Sequence, residues 1–226
     1  MTCRKYTAVA IVVLAACTAA RAADPTVKVE DQEPPKELGD AIRGLLSSKA
    51  MNVLGANGKP MCTVWARKEL ESKATADQVA AGLKYTNIEE STVLGAVQFA
   101  ADWSDYRKQK VKTGLYTLRL GFQPMDGDHM GTAPYNDFAL LVPADADKKP
   151  DLMDAESLHD LSKKSTTRKH PGVMLMFPNR KPGGAPSIES KPKENWVLSY
   201  SVPVKAAEGN GVLGFSLVVV GATMAE

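Results

Sequence analysis

Gly114-Leu115-Tyr116-Thr117-Leu118-Arg119-Leu120-Gly121-Phe122 is the stretch on which the fold turns. Its apolar residues Tyr116, Leu118, Leu120 and Phe122 fall at every second position, the period of a strand with one face on a core. That reading sends Thr117 and Arg119 outward. The same period recurs on either side. Lys49 to Leu54 and Met61 to Arg67 flank Gly55-Ala56-Asn57-Gly58-Lys59-Pro60, where Asn-Gly supplies the positive φ of a tight hairpin. Thr92 to Phe99 is a further strand candidate. Phe138 to Val142 and Val173 to Phe177 are short, unbroken apolar runs bounded by Pro, as expected of strands buried on both faces. Trp196, Leu198, Tyr200, Val202 and Val204 read as alternating with polar partners, and Val212 to Val220 follows an expected Asn210-Gly211 turn.

Two segments depart from this period. From Lys36 to Ser47, Leu38, Ala41, Ile42, Leu45 and Leu46 recur at three and four, the stripe of a short helix weakened by Gly39 and Gly44. Asp154 to Lys164 reads as a second helix with Asp154 as its N-cap and Leu158 and Leu161 on one side. Eight strand candidates without regular strand-helix alternation predict a mainly β protein, an antiparallel β-sandwich with one or two short peripheral helices.

The chain has 226 residues, 44% hydrophobic and 24% charged, enough for one core and short for several domains. Residues 1–22 have the form of a signal peptide: Arg4 and Lys5, an apolar stretch from Thr7 to Ala16, then small residues. Two cleavage patterns overlap there. Ala20-Arg21-Ala22 fits small-x-small processing, and Leu14-Ala15-Ala16-Cys17 resembles the lipobox of bacterial lipoproteins, which makes Cys17 the lipidation candidate. The expected location is therefore the periplasm or bacterial envelope, with a membrane surface as partner through the lipid. Residues 23–36, with Pro25, Pro34 and Pro35 among alternating charges, are expected to form a flexible tether, and 37–226 a single domain.

The formal charge of +2 belongs to the precursor. Without Arg4, Lys5 and Arg21, 25 basic residues face 26 acidic ones in a chain starting at Ala23. Basic residues read as interleaved with acidic ones, which argues against a nucleic-acid partner. Cys62, in the strand-like run Met61 to Ala66, is expected to be a small buried hydrophobe rather than a reactive thiol.

The densest chemistry lies in Gln123-Pro124-Met125-Asp126-Gly127-Asp128-His129-Met130-Gly131-Thr132. Asp126, Asp128 and His129 place two carboxylates and an imidazole within four residues, a candidate divalent-metal loop with Asp137 and His170 as further ligands. Asp137 stands where a calcium loop carries its bidentate Glu, and the bland reading is a polar loop whose Asp residues cap their own turns. Trp103 and Tyr106, in Ala101-Asp102-Trp103-Ser104-Asp105-Tyr106, are a candidate stacking platform for a glycan. Gly209-Asn210-Gly211-Val212-Leu213-Gly214 has the letters of a dinucleotide fingerprint, but a β-branched run follows it rather than a helix, so no nucleotide partner is expected. Neither a G-x-S-x-G elbow nor an S-x-x-K on a helix is found, and no catalytic residue is assigned. His159 and His170 read as surface or capping residues.

Tyr106 to Pro124, continuing through Asp126 to Thr132 and Asp137 to Pro143, resembles uncharacterised exported proteins of bacteria, and its Gly-x-Tyr-x-Leu piece is similar to small secreted β-sandwich domains of unknown function. The resemblance implies a fold and brings no catalytic residues. The leading expectation is an exported, tethered, non-enzymatic binding or envelope-accessory module of undefined protein or glycan partner. The alternatives are a metal-binding protein built on the Asp126/Asp128/His129 loop and a carbohydrate-binding module built on Trp103 and Tyr106.

Overall fold

The computed structural model describes residues 24–124, 133–168 and 170–223. In chain order the elements are β1 (Thr26–Asp31), α1 (Asp40–Leu45), β2 (Leu46–Leu54), β3 (Pro60–Arg67), β4 (Leu70–Ser72) and α2 (Ala76–Ala81). There follow β5 (Val93–Phe99), β6 (Trp103–Ser104), β7 (Lys110–Val111), β8 (Gly114–Phe122), β9 (Asp137–Pro143) and α3 (Ala155–Lys163). The last four are β10 (Gly172–Leu175), β11 (Ser187–Lys191), β12 (Asn195–Ala206) and β13 (Gly209–Val220).

The mainly β expectation is met. Seven strands form one antiparallel sheet in the order β1-β2-β3-β5-β8-β9-β10; β11, β12 and β13 form the second, with β4 parallel to β12. The sheets stack because alternation leaves each an apolar face. Val53, Val64, Val97, Leu118, Leu120 and Leu141 from the large sheet meet Leu198, Tyr200, Val202, Phe215 and Leu217 from the small one in a single core. Each fully buried Leu, Val or Phe there contributes about 1.5–3 kcal/mol over an exposed one. Along one side the sheets are joined, since Met176 bridges to Leu217 and the Phe177 N–H donates to the Ser216 carbonyl at 2.9 Å.

The reverse face of the large sheet is also covered, which corrects the outward assignment of Thr117 and Arg119. Both are fully buried. Arg119 Nε and Nη2 each donate at 2.8 Å to the Asp147 carboxylate, and its other N–H groups reach the carbonyls of Ser91, Lys149 and Asp151. One charged side chain thus holds down the segment following β9. Beside it, Trp65 lies between Ala50 and Ala96 on neighbouring strands, whose small side chains leave room for the indole, and its Nε1 donates to the Gln32 carbonyl at 2.9 Å.

Other differences are local. Thr26–Asp31, expected within a flexible tether, pairs antiparallel with β2 as an exposed edge strand. Strand β2 begins at Leu46, so the first helix is a single short turn and a half. The turn before β13 is Ala207-Glu208, with Gly209 at φ 107°, rather than Asn210-Gly211, both of which pair with β12. Helix α2 has no apolar stripe to announce it and is set by a local signal instead: Thr75 caps it, and Gln78 reaches back to the Thr75 N–H as a capping box. The signal segment and Cys17 lie outside the described residues.

Candidate functional site

A tight polar knot shapes the region between α3, β9 and β10. Asp105 is fully buried, and its carboxylate accepts the N–H groups of Arg107 at 3.0 Å, Gln109 at 2.7 Å and Val173 at 3.2 Å, with Gln109 Nε2 at 2.8 Å. Burial pushes the Asp105 carboxyl above its ordinary value, against the opposing pull of those donors. Gln109 Nε2 also donates to the Pro171 carbonyl at 2.9 Å, and the Tyr106 N–H to the Val173 carbonyl at 3.2 Å. The loop 105–109 is therefore pinned to β10, and Arg107 is carried on a fixed backbone.

Helix α3 supplies the opposite wall. Asp154 caps it by accepting the Ser157 N–H at 2.8 Å, and fully buried Leu158 seats it over Leu140 and Val142 on the reverse face of β9. His159 and Lys163, four residues apart, share one side of the helix. Beyond it, Thr166 Oγ1 donates to the His170 carbonyl at 2.9 Å and the Thr167 N–H to the Lys110 carbonyl at 3.3 Å, which orders the turn bearing Arg168.

These pieces enclose a cleft of about 440 Å³. Leu140, Val173, Phe122 and Phe138 supply apolar walls. Arg107, His159, Lys163, Arg168 and His170 also border it, and no Asp or Glu does among the described residues. Lys163 is paired with Asp160 at 2.7 Å, whereas the guanidinium groups of Arg107 and Arg168 have no hydrogen bond or ion pair among the described residues. Sequence reading missed this set because it weighed charge over the whole chain: residues 161–188 contain Lys163, Lys164, Arg168, Lys169, Arg180 and Lys181 and no acid.

A second cleft, of about 430 Å³, opens where the joined edges of the sheets meet the segment after α2, and Tyr85, Asp137, Asn179 and Arg180 line it. The Tyr85 hydroxyl donates to the Phe177 carbonyl at 2.8 Å and accepts the Ser216 N–H at 3.2 Å. Asp137 is half-buried, and burial raises its carboxyl above the ordinary carboxylate value.

The residues singled out from sequence are dispersed. Asp126, Asp128 and His129 lie outside the described residues. Asp137 and His170, their suggested companions, line different clefts, and among the described residues no three His, Cys, Asp or Glu side chains converge to hold a metal ion. Trp103 and Tyr106 do not share an exposed face, which corrects the stacking platform. Trp103 stacks on Phe99 with centroids 4.7 Å apart and donates through Nε1 to the Val219 carbonyl at 3.0 Å, while Tyr106 is only 5% exposed. Burial of apolar ring area against the core outweighs leaving either face in water. Cys62 is buried, with its thiol pushed up to about 12 by desolvation, which fits an inert core residue. Among the described residues no helix is long and apolar enough to cross a membrane. No protein-family model matches the chain, and no curated protein or solved structure matches it either.

Proposed function

We propose that this chain is an exported, non-enzymatic binding module of the bacterial envelope, tethered through Cys17, that holds a small molecule in the cleft between α3 and the 105–109 loop. The observation that carries the binding reading is the cleft itself. It has the volume of a small-ligand pocket, part of its wall is apolar, and it is bordered by backbone pinned by the Asp105 knot and the α3 cap, so little ordering is needed on binding. The export and tether readings rest on the leader and on Leu14-Ala15-Ala16-Cys17.

Two measurements test the proposal. Hydrogen exchange on the mature protein screened against a fragment library should find compounds that slow exchange at 105–109 and 170–175; a screen in which no compound protects these amides overturns the binding site. Fractionation of producing cells should find the protein with membranes, released by detergent and not by salt, and Cys17→Ser should move it to the soluble fraction. Equal partitioning of both forms rules out the tether.

A further inference from the structure

We infer that the α3 cleft selects a free, single-chain amphiphile with an anionic head, such as a carboxylate or phosphate carried on an alkyl body. The inference rests on reading that cleft as the binding site, but independent observations carry it. First, the described lining residues carry charge of one sign: Arg107, Lys163 and Arg168 border the cleft, and no acidic side chain does among them. Second, neither guanidinium group is engaged by a described residue. Arg107 and Arg168 are exposed and have no side-chain partner among the described residues, unlike Lys163 in the same lining, which pairs with Asp160 at 2.7 Å.

The chemistry of those groups then narrows the ligand. A guanidinium presents a planar fork of donors that matches a carboxylate or phosphate with two parallel hydrogen bonds. Besides these cations the cleft has apolar walls from Phe122, Phe138, Leu140 and Val173, which offer dispersion and burial, with the polar side chains of Gln109 and Gln123 also in the lining. A ligand satisfying both the cations and the apolar walls has a compact anion at one end and an apolar body at the other. Enclosure of about 440 Å³ suits one such molecule and not a bilayer surface, which needs an open, extended basic face. The occupant is accordingly a free chain rather than a membrane headgroup.

The test uses the full mature protein and three ten-carbon probes below their aggregation concentrations: decanoate, decanol and decylamine, titrated by calorimetry. Decanoate should bind more tightly than decanol and decylamine most weakly, with the advantage of decanoate shrinking as salt is raised. The double variant Arg107→Ala/Arg168→Ala should weaken decanoate by at least about tenfold, the effect of losing even a single charged hydrogen bond, and leave decanol within about twofold. Because both residues are exposed, unchanged circular dichroism is expected, and the reversal Arg107→Glu/Arg168→Glu should shift the preference toward decylamine. Equal affinity for decanoate and decanol overturns the anion selection while leaving a binding cleft; no binding of any probe, together with a blank fragment screen, removes both. Sedimentation with anionic phospholipid vesicles in the absence of decanoate binding assigns the basic mouth to a membrane and overturns the free-chain occupant.

Discussion

Arg119 and Asp147 form an ion pair inside the protein, with Nε and Nη2 each 2.8 Å from a carboxylate oxygen and with side chains 0% and 3% exposed. The pair is further satisfied: Thr117 Oγ1 donates to the same carboxylate, and the carbonyls of Ser91, Lys149 and Asp151 take the remaining guanidinium N–H groups. A strand residue that points away from the sandwich core thereby holds the 143–153 segment against the sheet.

Removing one partner leaves the other charge buried and unopposed. Asp147→Asn or Arg119→Met should each lower stability by about 3–5 kcal/mol in urea unfolding, and Arg119→Met/Asp147→Leu should cost less than either single change. Losses below about 1 kcal/mol for both single variants would show that water reaches the pair.

Gly95 illustrates a close backbone approach. A Cβ there would sit 2.4 Å from the Trp65 carbonyl oxygen, an atom the sheet cannot move cheaply. Gly95→Ala should therefore destabilise the protein by about 1–3 kcal/mol, as overpacking does, despite the better strand propensity of the added side chain. Thermal unfolding checks this, and an unchanged midpoint contradicts the packing of β3 against β5.

Cys62 sets an alkaline limit. Its thiol is raised from 9.0 to about 12 by burial, so the folded state holds a proton that the unfolded chain releases at lower pH. Stability is complete below about pH 9 and falls as pH climbs from 9 toward 12, because the unfolded state binds fewer protons across that window. Buried Tyr85 and Tyr200, whose hydroxyls are also raised by desolvation, act in the same direction at higher pH. Urea midpoints between pH 7 and 11 should decline for the native protein and less steeply for Cys62→Ala. Native Cys62 should resist thiol reagents at pH 8 and react on unfolding; rapid native labelling refutes its burial.

Asp154 connects a helix cap to the cleft. Hydrogen bonds from the Ser157 N–H and hydroxyl hold its carboxyl below the usual range, so the cap contributes above the unfolded value of about 3.9 and is lost as pH falls through the lower, folded one. Asp154→Ala should speed amide exchange across 155–163 and weaken decanoate without changing any residue that lines the cleft. Unaltered exchange there would mean that packing of Leu158 alone sustains α3.

Much of the architecture was legible from local pattern. The Asn57-Gly58 hairpin, with Gly58 at φ 72°, and the Asp154 cap depend on backbone chemistry within a few residues, and the alternation of β8 and β12 encodes their core faces directly. Short strands were not legible. Val29 is 45% exposed in β1, and Trp103-Ser104 spans only two residues, so neither carries a hydrophobic period; they exist because a neighbouring strand offers hydrogen-bond partners. Arg119 misled for a similar reason. Alternation names the two faces of a strand but not what covers the second, and here residues distant in sequence do so.

By itself, then, the order of amino acids determined a β-rich chain, because side-chain periodicity and turn chemistry act over a few residues. Tertiary structure decided that Arg119 is buried, that Tyr106 and Trp103 serve packing, and that Arg107, Lys163 and Arg168 border one cleft. Those outcomes depend on which distant segments come together, as β6–β7, α3 and β10 do around Asp105, and no local rule of propensity or spacing specifies that meeting.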